Sequence, residues 1–347
     1  MRPRQVPSSL ASRRIFTLLL VLAVALATGT ASAQDESPGE DARTGCTRSR
    51  LEVLAWQAAL ESRGFSPGLI DGIAGEKTLT ATRAFQAWAG LPVTGELSEE
   101  TSKALELEGA EPLQEYRVLS EDERQVSYCP PDWNEKSRRR RLLYPTLSSC
   151  IAEKFHTSER CLAALNPTLD LATLKAGVVV QAPSLRKRVS PEVPVSIEID
   201  LSRKLLLLVD ASGKVHGLLH CSVAKDVDSV ERGETRIATM VEDPTYTFDP
   251  EKWPEVRNVR RKLLIPPGPR CPVGIRWLGL ERPGVGIHGT AEPENIGKTG
   301  SHGCFRLTNW DAAWLASVVS PGTSVRILDR SAAADRIIGE SLEGGSP

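Results

Sequence analysis

The stretch G-V-G-I-H-G-T at 284–290, followed by T-G-S-H-G-C-F-R-L-T-N-W at 299–310, decides how the rest of the chain is read. It gathers two of the chain's five histidines, His288 and His302, and one of its seven cysteines, Cys304. The glycines between them let the backbone come close to a bound molecule. A thiol near an imidazole is the smallest set that makes a cysteine nucleophile, because the thiolate attacks and a base within hydrogen-bond reach generates it. His288 lies sixteen residues before Cys304, enough chain for two neighbouring strands or loop ends to return the ring to the sulfur. His302 is two residues away, on the same face as Cys304 if the segment is extended.

With I-P-P-G-P-R-C-P-V-G-I-R-W at 265–277 and T-N-W-D-A at 308–312, these motifs closely resemble the signature of the L,D-transpeptidases. Those are cysteine enzymes that cross-link bacterial peptidoglycan through the third stem residue. The resemblance implies an all-β sandwich catalytic domain over 193–330, with Cys304 as nucleophile and His288 as general base. The other nitrogen of His288 would be oriented by a backbone carbonyl near Gly289. His302 is the second choice of base, and otherwise shapes the pocket or contacts substrate. Ser301 belongs to the same supporting set, and the N–H groups of Gly303 and Cys304 form the oxyanion hole. Arg306 holds either a stem carboxylate or the loop itself.

The implied reaction is attack by Cys304 on the amide between an L centre and a D residue, with release of D-alanine. An amine from a second stem then resolves the thioester into a 3→3 cross-link. Two other acceptors stay open. Water would make an L,D-carboxypeptidase or endopeptidase, and a lysine would attach an envelope protein. No cofactor or metal is implied, and the partners are peptidoglycan stem peptides and glycan. A reading from another class is a non-catalytic peptidoglycan-binding protein, against which the intact Cys304 and His288 argue.

Length fits two or three domains, and 40% apolar with 25% charged residues is ordinary for a globular protein. The net charge of −1 argues against nucleic acid as a partner. Arg13 and Arg14 flank an apolar core from Ile15 to Ala27, and Ala31-Ser32-Ala33 is a small-residue cleavage site. This predicts a signal peptide at 1–33, a mature start at Gln34, and export to the periplasm or cell envelope with no integral membrane anchor. The general secretory and twin-arginine routes both fit.

Setting Cys304 aside leaves Cys46, Cys129, Cys150, Cys161, Cys221 and Cys271, an even number in an exported chain, where disulfides form. Of the possible pairings, proximity favours Cys150–Cys161 and domain membership favours Cys221–Cys271, with Cys46–Cys129 as the remainder. No C-x-x-C or H-x-x-x-H spacing points to a metal site.

The fold class expected is multidomain α+β. Residues 34–45 read as a flexible lead-in. In 46–109 a capping box at Ser49 and Glu52, apolar residues at helical spacing and Gly-centred turns predict three short helices, the second over 76–89 and the third from Ser98 to about Glu108. This region resembles the type 1 peptidoglycan-binding domain, with Phe85 and Trp88 as core. Residues 110–185 predict a strand, two helices and a closing strand, resembling a LysM module with a long insert. That insert carries the basic run Arg138–Arg141, read as a solvated loop, and His156 reads as a surface or packing residue. Ser184 to Pro194 reads as a linker. Beyond it the hydrophobic period becomes two, and Leu205 to Val209 is apolar on both faces. A helix over 311–319 and a strand over 325–328 follow, and 331–347 reads as a disordered tail.

Overall fold

Five successive apolar residues, Leu205–Val209, are stable as a strand only where both faces are covered. In the structure, a computed structural model that describes residues 48–253, 256–298, 300 and 303–338, all five are fully buried. The predicted signal peptide, the lead-in and Cys46 lie outside those residues.

A helical region comes first: α1 (Arg50–Ser62), α2 (Glu76–Ala89) and α3 (Glu99–Ala104). The capping box forms as its spacing predicts, Ser49 N–H donating to the Glu52 carboxylate and Glu52 N–H to Ser49 Oγ. The third helix stops short of Glu108, because Leu105 caps it and Glu106 turns to φ 54. A middle region holds β1 (Leu113–Arg117), α4 (Ser120–Glu123), α5 (Trp133–Ser137), α6 (Leu147–Lys154), α7 (Glu159–Leu165) and β2 (Val179–Pro183). Its two strands pair antiparallel from Leu113 opposite Pro183 to Arg117 opposite Val179. The C-terminal region contains β3 (Ser196–Asp200), β4 (Leu205–Val209), β5 (Val215–His220), β6 (Gly233–Glu242), β7 (Tyr246–Phe248), β8 (Leu263–Ile265), β9 (Arg276–Leu280), β10 (Gly286–His288), β11 (Phe305–Arg306), α8 (Asn309–Val318), β12 (Ser324–Leu328) and α9 (Ala332–Ile338).

The expected two-sheet sandwich is replaced by one curled sheet in the order β11-β10-β9-β6-β12-β3-β4-β5, with β7 and β8 a separate pair. The reason lies in β6. Its first residues pair with β12, its remainder pairs with β9, and the register shifts between Ile237 and Thr239. An irregularity of this kind bends a strand, so β6 serves both halves and joins them. The curl brings the sheet's ends together. Ser222, just past β5, exchanges two 2.9 Å backbone hydrogen bonds with Arg306 of β11.

The inner face packs Ile197, Leu206, Leu208, Leu278 and Phe305 against Leu315 of α8. On the outer face Leu205, Leu207 and Val209 meet Trp56, Leu60 and Phe85 of the helical region. Thus both faces of β4 are filled, one by the sheet's own core and one by a neighbouring module. The same module shields the edge of β5: Ser66 N–H donates to Leu218 O at 2.8 Å and Leu218 N–H to Gly64 O at 3.1 Å. Unpaired edges invite pairing with other chains, and this contact removes one. Gly64 holds φ +90, and a Cβ there would lie 3.2 Å from the Trp314 ring, so a side chain at this turn is strained.

Three other expectations are corrected. The segment read as a linker is a bound strap: Val189 N–H donates to Ser62 O, and Trp314 Nε1–H donates to Val189 O. The segment read as a disordered tail begins with α9, whose Ala333, Ala334 and Ile337 are buried beside the outer face of β4; residues 339–347 lie outside the described part. The favoured disulfides are absent, since Cys129, Cys150, Cys161, Cys221 and Cys271 are free thiols. Adjacency in sequence misled for Cys150 and Cys161. Cys150 faces the middle region's core with Ile151 and Phe155, while Cys161 faces Leu54, Ala58 and Ile70 of the helical region. Cys221 is sealed in the sheet core, whereas the Cys271 Sγ lies 3.6 Å from Pro244 O.

The strap carries the arrangement's most exacting charge. Arg188 donates to Asp311 at 2.7 Å, Ser66 Oγ–H donates to the other carboxylate oxygen at 3.0 Å, and the guanidinium lies over Trp314. Asp311→Ala leaves that guanidinium buried without its carboxylate, which costs about 3–5 kcal/mol. Chemical denaturation should show that loss, whereas a change below about 1 kcal/mol would mean the strap is held by packing alone.

Candidate functional site

Parallel pairing of β10 with β11 sets the site. Ile287 lies opposite Phe305, and His288 opposite Arg306. Side chains alternate faces along a strand, so Ile287 and Phe305 go into the sheet core while His288 and Arg306 share the other face. Cys304, two residues before Arg306, joins them. All three line one cavity of about 590 Å³, together with Trp277 of β9 and with Tyr246 and Trp253 from the segment around β7.

Inside it His288 is buried and its Nδ1–H donates to Gly289 O at 2.6 Å. That bond fixes the tautomer, leaving Nε2 as the basic nitrogen. Burial pushes the imidazole down to about 4, with the Arg306 charge adding to the effect, so His288 is neutral at neutral pH. Trp277, opposite His288 across β9 and β10, stacks on its ring at 5.6 Å. Gly286 makes that possible, because a Cβ there would meet the Trp277 ring at 2.7 Å.

Cys304 is half-buried, its Sγ 3.5 Å from Gly284 O. Burial raises the thiol above its ordinary value, opposed by a backbone hydrogen bond at Gly286 and by the charges of Arg306 and Lys252. The pair is therefore a thiol and a neutral imidazole at rest. Gly303 takes φ +129, a backbone region closed to ordinary side chains. Ser301 and His302 lie outside the described residues.

Asn309 is the residue the sequence reading gave no role. Its amide donates to Glu153 Oε1 at 2.8 Å and Pro269 O at 3.1 Å, and its oxygen accepts from Ile275 N–H at 3.2 Å. Cβ atoms at Gly274 or Gly289 would strike that oxygen at 2.1 and 2.2 Å. One side chain thus ties the start of α8 to the loop before β9 and to α6, and packs closely against Gly289, the residue whose carbonyl orients His288. The only local hint was an asparagine following a threonine cap.

Of the two readings of His156, packing is the one the structure shows. Its Nδ1 lies 2.8 Å from the Glu61 carboxylate, its ring stacks on Trp310 at 4.9 Å, and its carbonyl accepts from Ile70 N–H. The middle region's insert reaches the cavity's far wall as well. Trp133 stacks on Phe248 at 4.2 Å beside Trp253, whose Nε1–H donates to Tyr246 Oη at 3.2 Å. Arg141, expected in a solvated loop, pairs with Asp243 at 2.8 Å. Trp133→Ala should loosen that wall and lower second-order acylation up to about 10²-fold, since displacements near 1 Å cost that much. Stopped-flow acylation with a stem peptide checks it, and a wild-type rate would show the wall stands alone.

A cysteine and a histidine lining one cleft fit the L,D-transpeptidase resemblance carried by the sequence motifs. Residues 194–327 match the profile of the L,D-transpeptidase catalytic domain, and residues 49–105 match that of a peptidoglycan binding domain. The chain is 33% identical over 183 residues to the L,D-transpeptidase YkuD of Bacillus licheniformis, covering 52% of this chain and 93% of that one. Its counterpart in Bacillus subtilis is 31% identical over 182 residues, with the same 52% and 93% coverage. The chain belongs to the L,D-transpeptidase family. Among solved structures, an L,D-transpeptidase of Xylanimonas cellulosilytica aligns with 80% of this chain and 93% of its own at 20% identity and a TM-score of 0.33, a likeness too loose to add to the sequence relatives.

Proposed function

We propose that the chain is a cell-envelope acyltransferase that forms 3→3 peptidoglycan cross-links through a thioester on Cys304. The observation that carries this reading is the shared cavity, where Cys304, His288 and Arg306 line one face of the β10–β11 pair. A neutral thiol and a neutral imidazole suit a concerted step. His288 Nε2 takes the thiol proton as Sγ bonds to the substrate carbonyl carbon, then gives it to the departing D-alanine nitrogen as the C–N bond breaks. N–H groups around Gly303 and Cys304 stabilise the oxyanion. An acceptor amine next attacks the thioester, His288 receives its proton, and the C–S bond breaks. Arg306 and Lys252 give the cavity two cations, suited to the free carboxylates of stem peptides.

An amine of a second stem is the acceptor proposed, with an envelope-protein lysine or water as the alternatives. The helical region positions the enzyme on peptidoglycan. The middle region, two paired strands with four short helices between them and resembling LysM with an insert, acts as a brace, because its α6–α7 turn is spent on Glu61 and Trp310. Export through the predicted signal peptide places the protein where its substrate is. Incubation with disaccharide-tetrapeptide and analysis of the products tests the reading: dimers linked through two third-position residues support it, and tripeptide alone would make the enzyme a carboxypeptidase.

A further inference from the structure

A second cavity, of about 440 Å³, opens between α2 of the helical region and the loop that leads from β10 toward Cys304. Most of its charged lining is already neutralised: Glu76 pairs with Arg83, while Arg203 and Arg330 both pair with Asp335. Three ammonium groups are different. Lys77, Lys204 and Lys298 make no ion pair among the described residues. Lys77 donates to Ile296 O at 2.6 Å and Lys204 to Gly297 O at 2.9 Å, which satisfies one of each group's three N–H donors and none of its charge. Both lysines are only partly exposed, and Lys77 is held below the ordinary lysine range by burial and by the neighbouring Lys298. Withdrawing like charges from water without a counter-charge is unfavourable, and a bound anion relieves it.

His220 supplies the complementary group. It is buried, lines the same cavity, and its Nε2–H donates to the Lys77 carbonyl at 3.1 Å. Its Nδ1 is thereby an acceptor, and burial, pushing the ring down to about 3, keeps it one at any physiological pH. Two cationic donors beside one neutral acceptor match a carboxylate next to an amide N–H, the pattern at the C-terminal residue of a peptide. A phosphodiester offers the charge without the donor.

We propose that this cleft is a second peptidoglycan site, separate from the Cys304 cavity, that takes the terminal carboxylate of an uncross-linked stem peptide. It rests on the peptidoglycan-acting reading for its ligand class and not on the role of Cys304. Because Lys77 and Lys204 both grip the loop before Cys304, a ligand there also touches the segment that carries the candidate nucleophile.

The test is calorimetric titration of full-length Cys304→Ala protein with disaccharide-tetrapeptide, its C-terminal amide, and inorganic phosphate. If Cys304 is the nucleophile turnover is absent, and if it is not, the expected dependence on Lys77, Lys204 and the free carboxylate reads the same. Expected is a binding component that weakens tenfold or more in Lys77→Met and in Lys204→Gln, weakens likewise for the amidated peptide, and persists in Arg306→Met. Lys204→Gln and Lys298→Met keep the test open if Lys77→Met lowers Tm. Binding that ignores the lysine changes, disappears only with Arg306→Met, or is matched by phosphate overturns the proposal, as does the absence of any binding.

Discussion

Cys304→Ala should leave a folded protein with no thioester and with transfer lowered by at least about 10⁴-fold, the scale seen when a covalent nucleophile is removed. The side chain is half-buried at the rim of its cavity, so losing the sulfur creates little void and Tm should move by a few degrees at most. Of the other described cysteines, Cys150 and Cys221 are raised to about 12 by burial and Cys271 to about 11. None of those three can substitute as a thiolate near neutrality. Carbapenem-type β-lactams should accordingly add once, at Cys304, and not at all to the variant. An adduct that survives the substitution would place the nucleophile elsewhere.

His288→Ala should cost about 10²–10⁴-fold in acylation, the usual span for a positioned general base, and more than His302→Ala. The pH dependence identifies the role. With the folded imidazole lowered to about 4 by burial, the wild-type rate should fall only as pH drops through that region, where protonation removes the base. Above it the rate should stay level, because His288 remains neutral and takes the thiol proton during attack. Without His288 only the preformed thiolate reacts, and burial keeps it scarce. The variant should therefore gain about tenfold per pH unit through neutrality until the thiol ionises. A wild-type limb at the ordinary histidine value, or a level profile in the variant, would contradict this assignment. A larger loss from His302→Ala would move the base there.

The legible parts of the molecule were those whose meaning is local. The spacing from His288 to Cys304 left room for neighbouring strands or loop ends to bring the two together, and His288 ends β10 while Cys304 lies just before β11; the five apolar residues at 205–209 announced a strand covered on both sides. What remained hidden depends on partners distant in sequence. The two-sided pairing of β6 is invisible because the residues that choose its neighbours sit in β9 and β12. Cys150 and Cys161 invited a bond by proximity, yet the short α6 and α7 turn them toward different cores. His156 read as a surface or packing residue and Arg188 as part of a linker, because a sequence does not show that Glu61, Trp310 and Asp311 come to meet them. The same holds for the strap at 184–194: its prolines and basic residues have linker composition, and only its docking between α1 and α8 makes it fixed.

The central claim is that the Cys304 sulfur carries the acyl group. Incubating the protein with a tetrapeptide stem, quenching in acid and mapping the digest by mass spectrometry reads this directly. The account predicts a tripeptidyl mass on the fragment containing Cys304, labile to hydroxylamine as a thioester is. A modified residue other than Cys304, or tetrapeptide consumed with no covalent species, would contradict it.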